Sequence, residues 1–198
     1  FLFLSGDSVI QNGANSAVGL YVIQLAKHWG VKTINVVRDR PELTQLKTRL
    51  QSLGADAVVT EEELRQRDIM ENVLSKIPKP KLALNCVGGK NATDCLRFLD
   101  FRGYMVTYGG MSKQPLTVPT GSLIFKDQKF VGYWMTRWSN ENGISKERIN
   151  MLKDLCDLIK QGKLKTPETK ELSLRDYKIG VQKSMQGFAD AKYIFTMK

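Results

Sequence analysis

The sequence predicts an α/β fold built on a doubly wound parallel sheet of about six strands. Three observations predict it. Short apolar, β-branched runs alternate with segments of helical periodicity as far as Gly162. Alternation of this kind implies parallel pairing through right-handed crossovers. The chain has 198 residues, 42% hydrophobic and 25% charged, which suits a globular protein able to bury a core.

The elements follow in order. Ser8-Val9-Ile10-Gln11 reads as a strand. A helix runs from Ala17 to Trp29, with Val18, Val22, Leu25, Ala26 and Trp29 spaced to share one face, and Gly30 ends it as a C-cap. Thr33–Val37 is the next strand. Pro41 suits the first turn of a helix carrying Leu43, Leu46, Leu50 and Leu53, which Gly54 closes. Ala57–Thr60 is a strand and Glu62–Lys76 a helix, broken by Pro78 and Pro80. The strand Leu82–Cys86, a helix around Ala92–Leu99 and the strand Tyr104–Tyr108 continue the rhythm. A sixth strand, Lys129–Trp134, precedes a helix from Ser145 to Lys160 with Ile149, Leu152, Leu155 and Ile159 inward. Beyond Gly162 the texture changes to an extended linker, 163–169, a short helix from Leu174 to Met185 and an end strand, Tyr193–Thr196. These pieces are too small for a core of their own, so the division expected is 1–162 and 163–198.

Composition excludes several function classes. No apolar run approaches the roughly 20 residues needed to cross a bilayer. Phe1-Leu2-Phe3-Leu4 is too short for a signal-peptide core, and without an initiator Met the chain reads as a piece of a longer one. Cys86, Cys95 and Cys156 are odd in number and widely spaced, which is neither a disulfide framework nor a zinc pattern, so free thiols in a reducing compartment are expected. The net charge of +10 could serve an anionic cofactor, an acidic partner surface or nucleic acid. Lys and Arg form no run of four, and the aromatics are not interleaved with them, so nucleic acid is disfavoured.

The first strand runs into Asn12-Gly13-Ala14-Asn15-Ser16-Ala17-Val18-Gly19 and then a helix. Laid over the G-x-G-x-x-G fingerprint of Rossmann domains, the glycine positions fall on Ala14, Ser16 and Gly19. Only the third is kept, the one that lets helix and strand pack closely. Asn15, Ser16, Ala17 and Val18 would offer N–H groups to a pyrophosphate at the helix N-terminus. The competing reading is a small-residue turn that binds nothing. About twenty residues on, an acid would hold the ribose of NAD and an Arg the 2′-phosphate of NADP. The sequence there reads Val37-Arg38-Asp39-Arg40. Two Arg flanking one Asp fit a dianionic phosphate and favour NADPH over NADH. The alternative is a solvated charge cluster capping the next helix. His28, Lys90, Asp94 and Glu61-Glu62-Glu63 read more simply as surface or helix-end residues.

Four runs carry a resemblance. Asn15–Gly19, Asn35–Pro41, Leu82–Gly89 and Met105–Met111 closely resemble the mitochondrial 2-enoyl thioester reductases, members of the medium-chain dehydrogenase/reductase superfamily. The likeness spans nearly the whole chain. It implies NADPH contacts at Asn15–Val18, at Arg38, Asp39 and Arg40, at Tyr108-Gly109-Gly110-Met111, at Tyr133-Trp134-Met135, and at Lys192. Gly13-Ala14, Ala17, Tyr133 and Met135 vary from the family's usual residues. It also implies a mitochondrial location, a homodimer formed along the edge near Phe130–Trp134, and hydride transfer to C3 of a trans-2-enoyl thioester carried on CoA or acyl carrier protein. The family's proton-donating Tyr lies in a preceding catalytic domain, to which 163–198 would return, and none of Tyr21, Tyr104, Tyr108, Tyr133, Tyr177 and Tyr193 matches it. This chain alone is therefore expected to bind NADPH without turning over substrate. A quinone-reductase-like enzyme and a non-catalytic basic binding module are the alternatives.

Overall fold

The computed structural model describes residues 4–185 and 191–197. Phe1–Phe3, the start of the apolar run at the amino end, lie outside the described residues. The chain divides into two compact units, Phe1–Leu164 and Lys165–Lys198. The break thus falls after Leu164, which is buried, and not at Gly162.

In the first unit the strands are β1 (Ser8–Asn12), β2 (Lys32–Val37), β3 (Ala57–Thr60), β4 (Leu82–Asn85), β5 (Tyr104–Thr107) and β6 (Lys129–Gly132). The helices between and after them are α1 (Ala17–Trp29), α2 (Leu43–Leu53), α3 (Arg67–Leu74), α4 (Gly89–Leu96), α5 (Thr120–Ile124), α6 (Met135–Asn142) and α7 (Lys146–Lys160). All six strands run parallel in one sheet, ordered β3-β2-β1-β4-β5-β6. The order reverses between β1 and β4, and such a reversal opens a crevice beyond the carboxyl ends of the two strands.

Both faces of β1, β2 and β3 are covered, which is why these strands read as nearly unbroken apolar runs, whereas β6 is mostly exposed. On one face Ile10, Ile34, Val36, Val59, Ala83 and Met105 pack against Leu64, Met70, Ile77, Ala92, Cys95, Leu96 and Leu99. On the other, Val37 and Val58 meet Leu20, Ile23 and Leu50, and Val9 meets Ala26 and Val31.

Four helix readings need correction. The α1 boundaries are those expected, but its core face is Leu20, Ile23 and Ala26. Val18 and Trp29 are exposed, while Val22, Leu25 and Trp29 line an apolar groove of about 410 Å³ with Val9, Val31, Leu82 and Leu84. The helix expected over Glu62–Lys76 is a 3₁₀ turn, Glu63–Arg65, followed by α3. The turn is capped at its start, where the Thr60 N–H donates to Glu63 Oε2 (2.7 Å) and the Glu63 N–H to Thr60 Oγ1 (3.0 Å), and it ends at extended Gln66, whose N–H donates to Glu63 O (3.0 Å). Buried Leu64 anchors that turn in the core. α4 starts at Gly89, ahead of Ala92, since Gly88 and Gly89 both take positive φ at its entry. α7 is a helix capped by Ser145, yet none of its residues is buried, and Ile149, Leu152 and Ile159 are about half exposed in this chain.

β6 ends at Gly132, and Trp134 instead caps α6, a helix that the sequence pattern did not reveal, as it did not reveal α5. The second unit holds β7 (Thr169–Ser173), a 3₁₀ turn at Leu174–Asp176, α8 (Tyr177–Met185) and β8 (Lys192–Thr196), with β7 and β8 parallel. The linker expected up to residue 169 thus gives way to a strand. Gly180 lets α8 lie on β8, since a Cβ there would stand 2.7 Å from the Phe195 ring.

Candidate dinucleotide-binding site

The turn after β1 is fixed by short backbone contacts. Gly13 takes φ +58, the Ser16 N–H donates to the Gly13 carbonyl (2.9 Å), and the Ala14 N–H donates to Val36 O on β2 (3.2 Å). Ser16 caps α1, its hydroxyl accepting the Gly19 N–H at 3.2 Å. Ala17 and Val18 are the first two helical residues, whose N–H groups leave the helix end without intrahelical acceptors. Of the four amides expected to face a pyrophosphate, that of Ser16 is therefore used within the turn. A Cβ on Gly19 would lie 2.4 Å from Ala14 O, which is why this glycine alone of the fingerprint's three positions is kept.

Arg38, Asp39 and Arg40 follow Val37, the last residue of β2, at the same edge of the sheet. Arg38 and Asp39 are exposed and Arg40 is half-buried. The Asp39 carboxylate accepts the Arg40 backbone N–H (2.9 Å), so it shapes the turn that carries the two arginines.

After β5, the Tyr108 N–H donates to Asn85 O and the Met111 N–H to Cys86 O, both at 2.9 Å. A Cβ on Gly109 would stand 3.1 Å from the Cys86 carbonyl, whereas Gly110 faces open space. The Tyr108 hydroxyl is buried beside the Cys86 thiol. Burial first, and the thiol second, push the Tyr108 pKa up, and burial likewise raises that of Cys86, so both groups stay neutral. Tyr133 continues beyond β6, its N–H donating to Thr107 O (2.9 Å). Trp134 is exposed, with the Arg137 guanidinium 5.7 Å from its ring centre, and Met135 begins α6.

One carboxyl edge therefore gathers Asn15–Val18, Arg38–Arg40, Tyr108–Met111 and Tyr133–Met135. Lys192 opens β8 in the second unit, its N–H bonded to Glu168 O. Lys90 is tied to buried Asp94 at 2.8 Å, which also meets Arg65 (3.4 Å) and Arg97 (3.7 Å). Residue reasoning missed Asn12, Asn85 and Thr107, which end β1, β4 and β5 at this edge. The available signal was an Asn closing each of two apolar strands, because buried amides require partners.

A six-stranded parallel sheet in this order, with a capped helix after its first strand, defines a doubly wound Rossmann domain. Residues 17–153 match the model of the zinc-binding dehydrogenases, and the chain belongs to that family. Among the described residues no group of three or more His, Cys, Asp or Glu could hold a metal ion. The chain is 50% identical over 194 residues to a Xenopus tropicalis protein named mitochondrial enoyl-[acyl-carrier-protein] reductase, covering 97% of this chain and 55% of the relative. It thus spans about half the length of the curated relatives it matches. Among solved structures, the mitochondrial 2-enoyl thioester reductase heterodimer from Candida tropicalis is 36% identical with a TM-score of 0.86, over 94% of this chain and 54% of that one. The Etr1p complex with NADP and crotonyl-CoA is 36% identical, TM-score 0.88, over 99% and 55%. A Pseudomonas syringae quinone oxidoreductase, 22% identical with a TM-score of 0.75 over 98% and 58%, shares the fold alone.

Proposed function

We propose that this chain is the cofactor-binding portion of an NADPH-dependent reductase of trans-2-enoyl thioesters, acting in mitochondrial fatty-acid synthesis. The observation that carries the proposal is the pairing, at one sheet edge, of an α1 N-terminus capped by Ser16 with two arginines flanking Asp39 beyond β2. The α1 end suits a pyrophosphate, and Arg38 and Arg40 suit a 2′-phosphate. The reductase activity, an enoyl substrate and the mitochondrial setting are supported by the names of relatives at about half identity, and the thioester by the name of the Candida tropicalis structure at 36% identity. NADP is supported by the solved complex that contains it.

The residues present fit such a cofactor. Gly110 leaves open space beside the strand ends, and neutral Tyr108 and Cys86 add no charge there. When bound, the nicotinamide supplies hydride. The protein's own part is to orient it: Ala17 and Val18 amides at one end, Tyr108–Met111 and Tyr133–Met135 at the other. Residues 165–198 are read as the returning portion of a catalytic domain that holds the rest of the substrate site. The β6 edge supports a homodimer, since among the described residues β6 pairs only with β5 and Val131 is exposed. A net charge of +10 suits an acidic carrier protein as partner.

Activity separates the readings. The intact protein is expected to reduce crotonyl-CoA with NADPH, while residues 1–198 alone should not. Reduction of quinones with no reduction of crotonyl-CoA by the intact protein would overturn the substrate assignment.

A further inference from the structure

The last rung of the sheet before the crevice is polar across three strands. Asn12, Asn85 and Thr107 end β1, β4 and β5, and Asn85 stands beside Thr107 in the strand register. Asn12 and Asn85 are each 1% exposed, whereas Ile10, Ala83 and Met105, one rung lower on the same face, are wholly apolar. Their amides form a chain. Asn12 Nδ2 donates to Asn85 Oδ1 (2.8 Å), Asn85 Nδ2 donates to Thr107 Oγ1 (3.1 Å), and Asn12 Oδ1 accepts the Cys86 N–H (2.8 Å). Asn85 Oδ1 also accepts the Gly88 N–H (2.9 Å) and the Val87 N–H (3.2 Å). Two side chains thereby hold three backbone N–H groups of the turn after β4.

That turn is bound on one side to the residue preceding Gly13 and on the other to the residue preceding Tyr108. The three turns that line the crevice are therefore joined by directional side-chain bonds in addition to close packing and the backbone bonds from Tyr108 N–H to Asn85 O and Met111 N–H to Cys86 O. Apolar side chains would fill the same volume without burying amides, whose burial is costly unless every polar atom is bonded. They would not fix the separation of the turn after β1 from the turn after β4. An aspartate could accept the same N–H groups, but its charge would face any phosphate bound in the crevice. Amides hold the turns and stay neutral.

We propose that Asn12 and Asn85 are positioning residues for the dinucleotide, setting the distance between the turn after β1 and the turns after β4 and β5. The proposal rests on the NADPH reading of the crevice. It concerns only a ligand long enough to touch both sides, so a short ligand held at the Arg38 end should not sense the pair.

The test measures NADP⁺ and adenosine 2′,5′-bisphosphate binding by calorimetry to the 198-residue chain and to Asn85→Ala, with melting temperatures alongside. Asn85→Ala is expected to weaken NADP⁺ ten-fold or more while changing the bisphosphate less than two-fold. Loss of both ligands by the same factor, or of neither, would overturn the positioning role. If Asn85→Ala does not fold, near-isosteric Thr107→Val removes the acceptor of Asn85 Nδ2 and carries the same comparison, with a several-fold selective loss of NADP⁺ expected. A wild-type chain that binds neither ligand contradicts the NADPH reading itself, an outcome distinct from equal weakening in the variant.

Discussion

Gly19 sits where a Cβ would be 2.4 Å from the Ala14 carbonyl, and that oxygen belongs to backbone pinned to β2 through the Ala14 N–H. Gly19→Ala should cost about 1–3 kcal/mol, the usual range for overpacking, read as a lowered melting temperature. Gly110→Ala, which meets nothing within 4 Å, should stay within about 0.5 kcal/mol. Thiol accessibility offers a second check at this scale. Cys156 is exposed, whereas Cys86 and Cys95 are buried and burial raises both their pKa values. Iodoacetamide should label Cys156 in the native chain and the other two only on unfolding, as followed by mass spectrometry. Gly19 was legible from its spacing alone, because a strand followed at once by a helix leaves no room for a side chain there. Asn12 and Asn85 were not, since their meaning depends on which strands become neighbours.

Helix α1 was legible at its C-terminal end, which Gly30 marks, while at the other end Ser16 proves to be the cap. Ser16→Ala should cost about 1 kcal/mol in chemical denaturation. Its buried face was not legible: the Val22-Leu25-Trp29 stripe is as apolar as Leu20-Ile23, and periodicity sets the period but not the phase. The same holds for α7, whose apolar stripe is regular and yet uncovered in this chain. The acidic run Glu61–Glu63 announced a helix start, but the break at Gln66 goes with the 3₁₀ closure of the turn and the burial of Leu64 in the core, which no local pattern shows. Burial raises the Glu63 pKa, but the Lys47 ammonium and the Thr60 N–H together outweigh it and leave the carboxyl below its ordinary 4.5. A depressed carboxylate stabilises the fold above its unfolded pKa and loses that contribution as pH falls through the folded value. Glu63→Gln should therefore melt below wild type at pH 7, with the gap closing on acidification below about pH 4.5.

Across the whole molecule, the alternation of strands and helices made the sheet legible, and with it the edge on which a ligand must sit. The order of the strands had to come from the fold, and so did α5, too short to show a period, and α6 and β7, whose mainly polar residues give no apolar stripe or run. The division after Leu164 leaves a second unit built on a two-stranded pair, in a chain about half as long as its relatives. The expected consequence is cofactor binding without turnover. A single-turnover assay of the 198-residue chain with NADPH and crotonyl-CoA should show no loss of NADPH absorbance above background.

The most direct measurement of the central claim, an NADPH site between α1 and the end of β2, is a fluorescence titration of this chain with NADPH and NADH. It should be repeated on Arg38→Ala and Arg40→Ala. Wild type should prefer NADPH, and each substitution should weaken NADPH by ten-fold or more while leaving NADH within about two-fold, since a charge-assisted bond of roughly 1.5–3 kcal/mol is lost only by the phosphate-bearing ligand. An NADPH preference that survives both substitutions would contradict the account and move the 2′-phosphate away from Arg38 and Arg40.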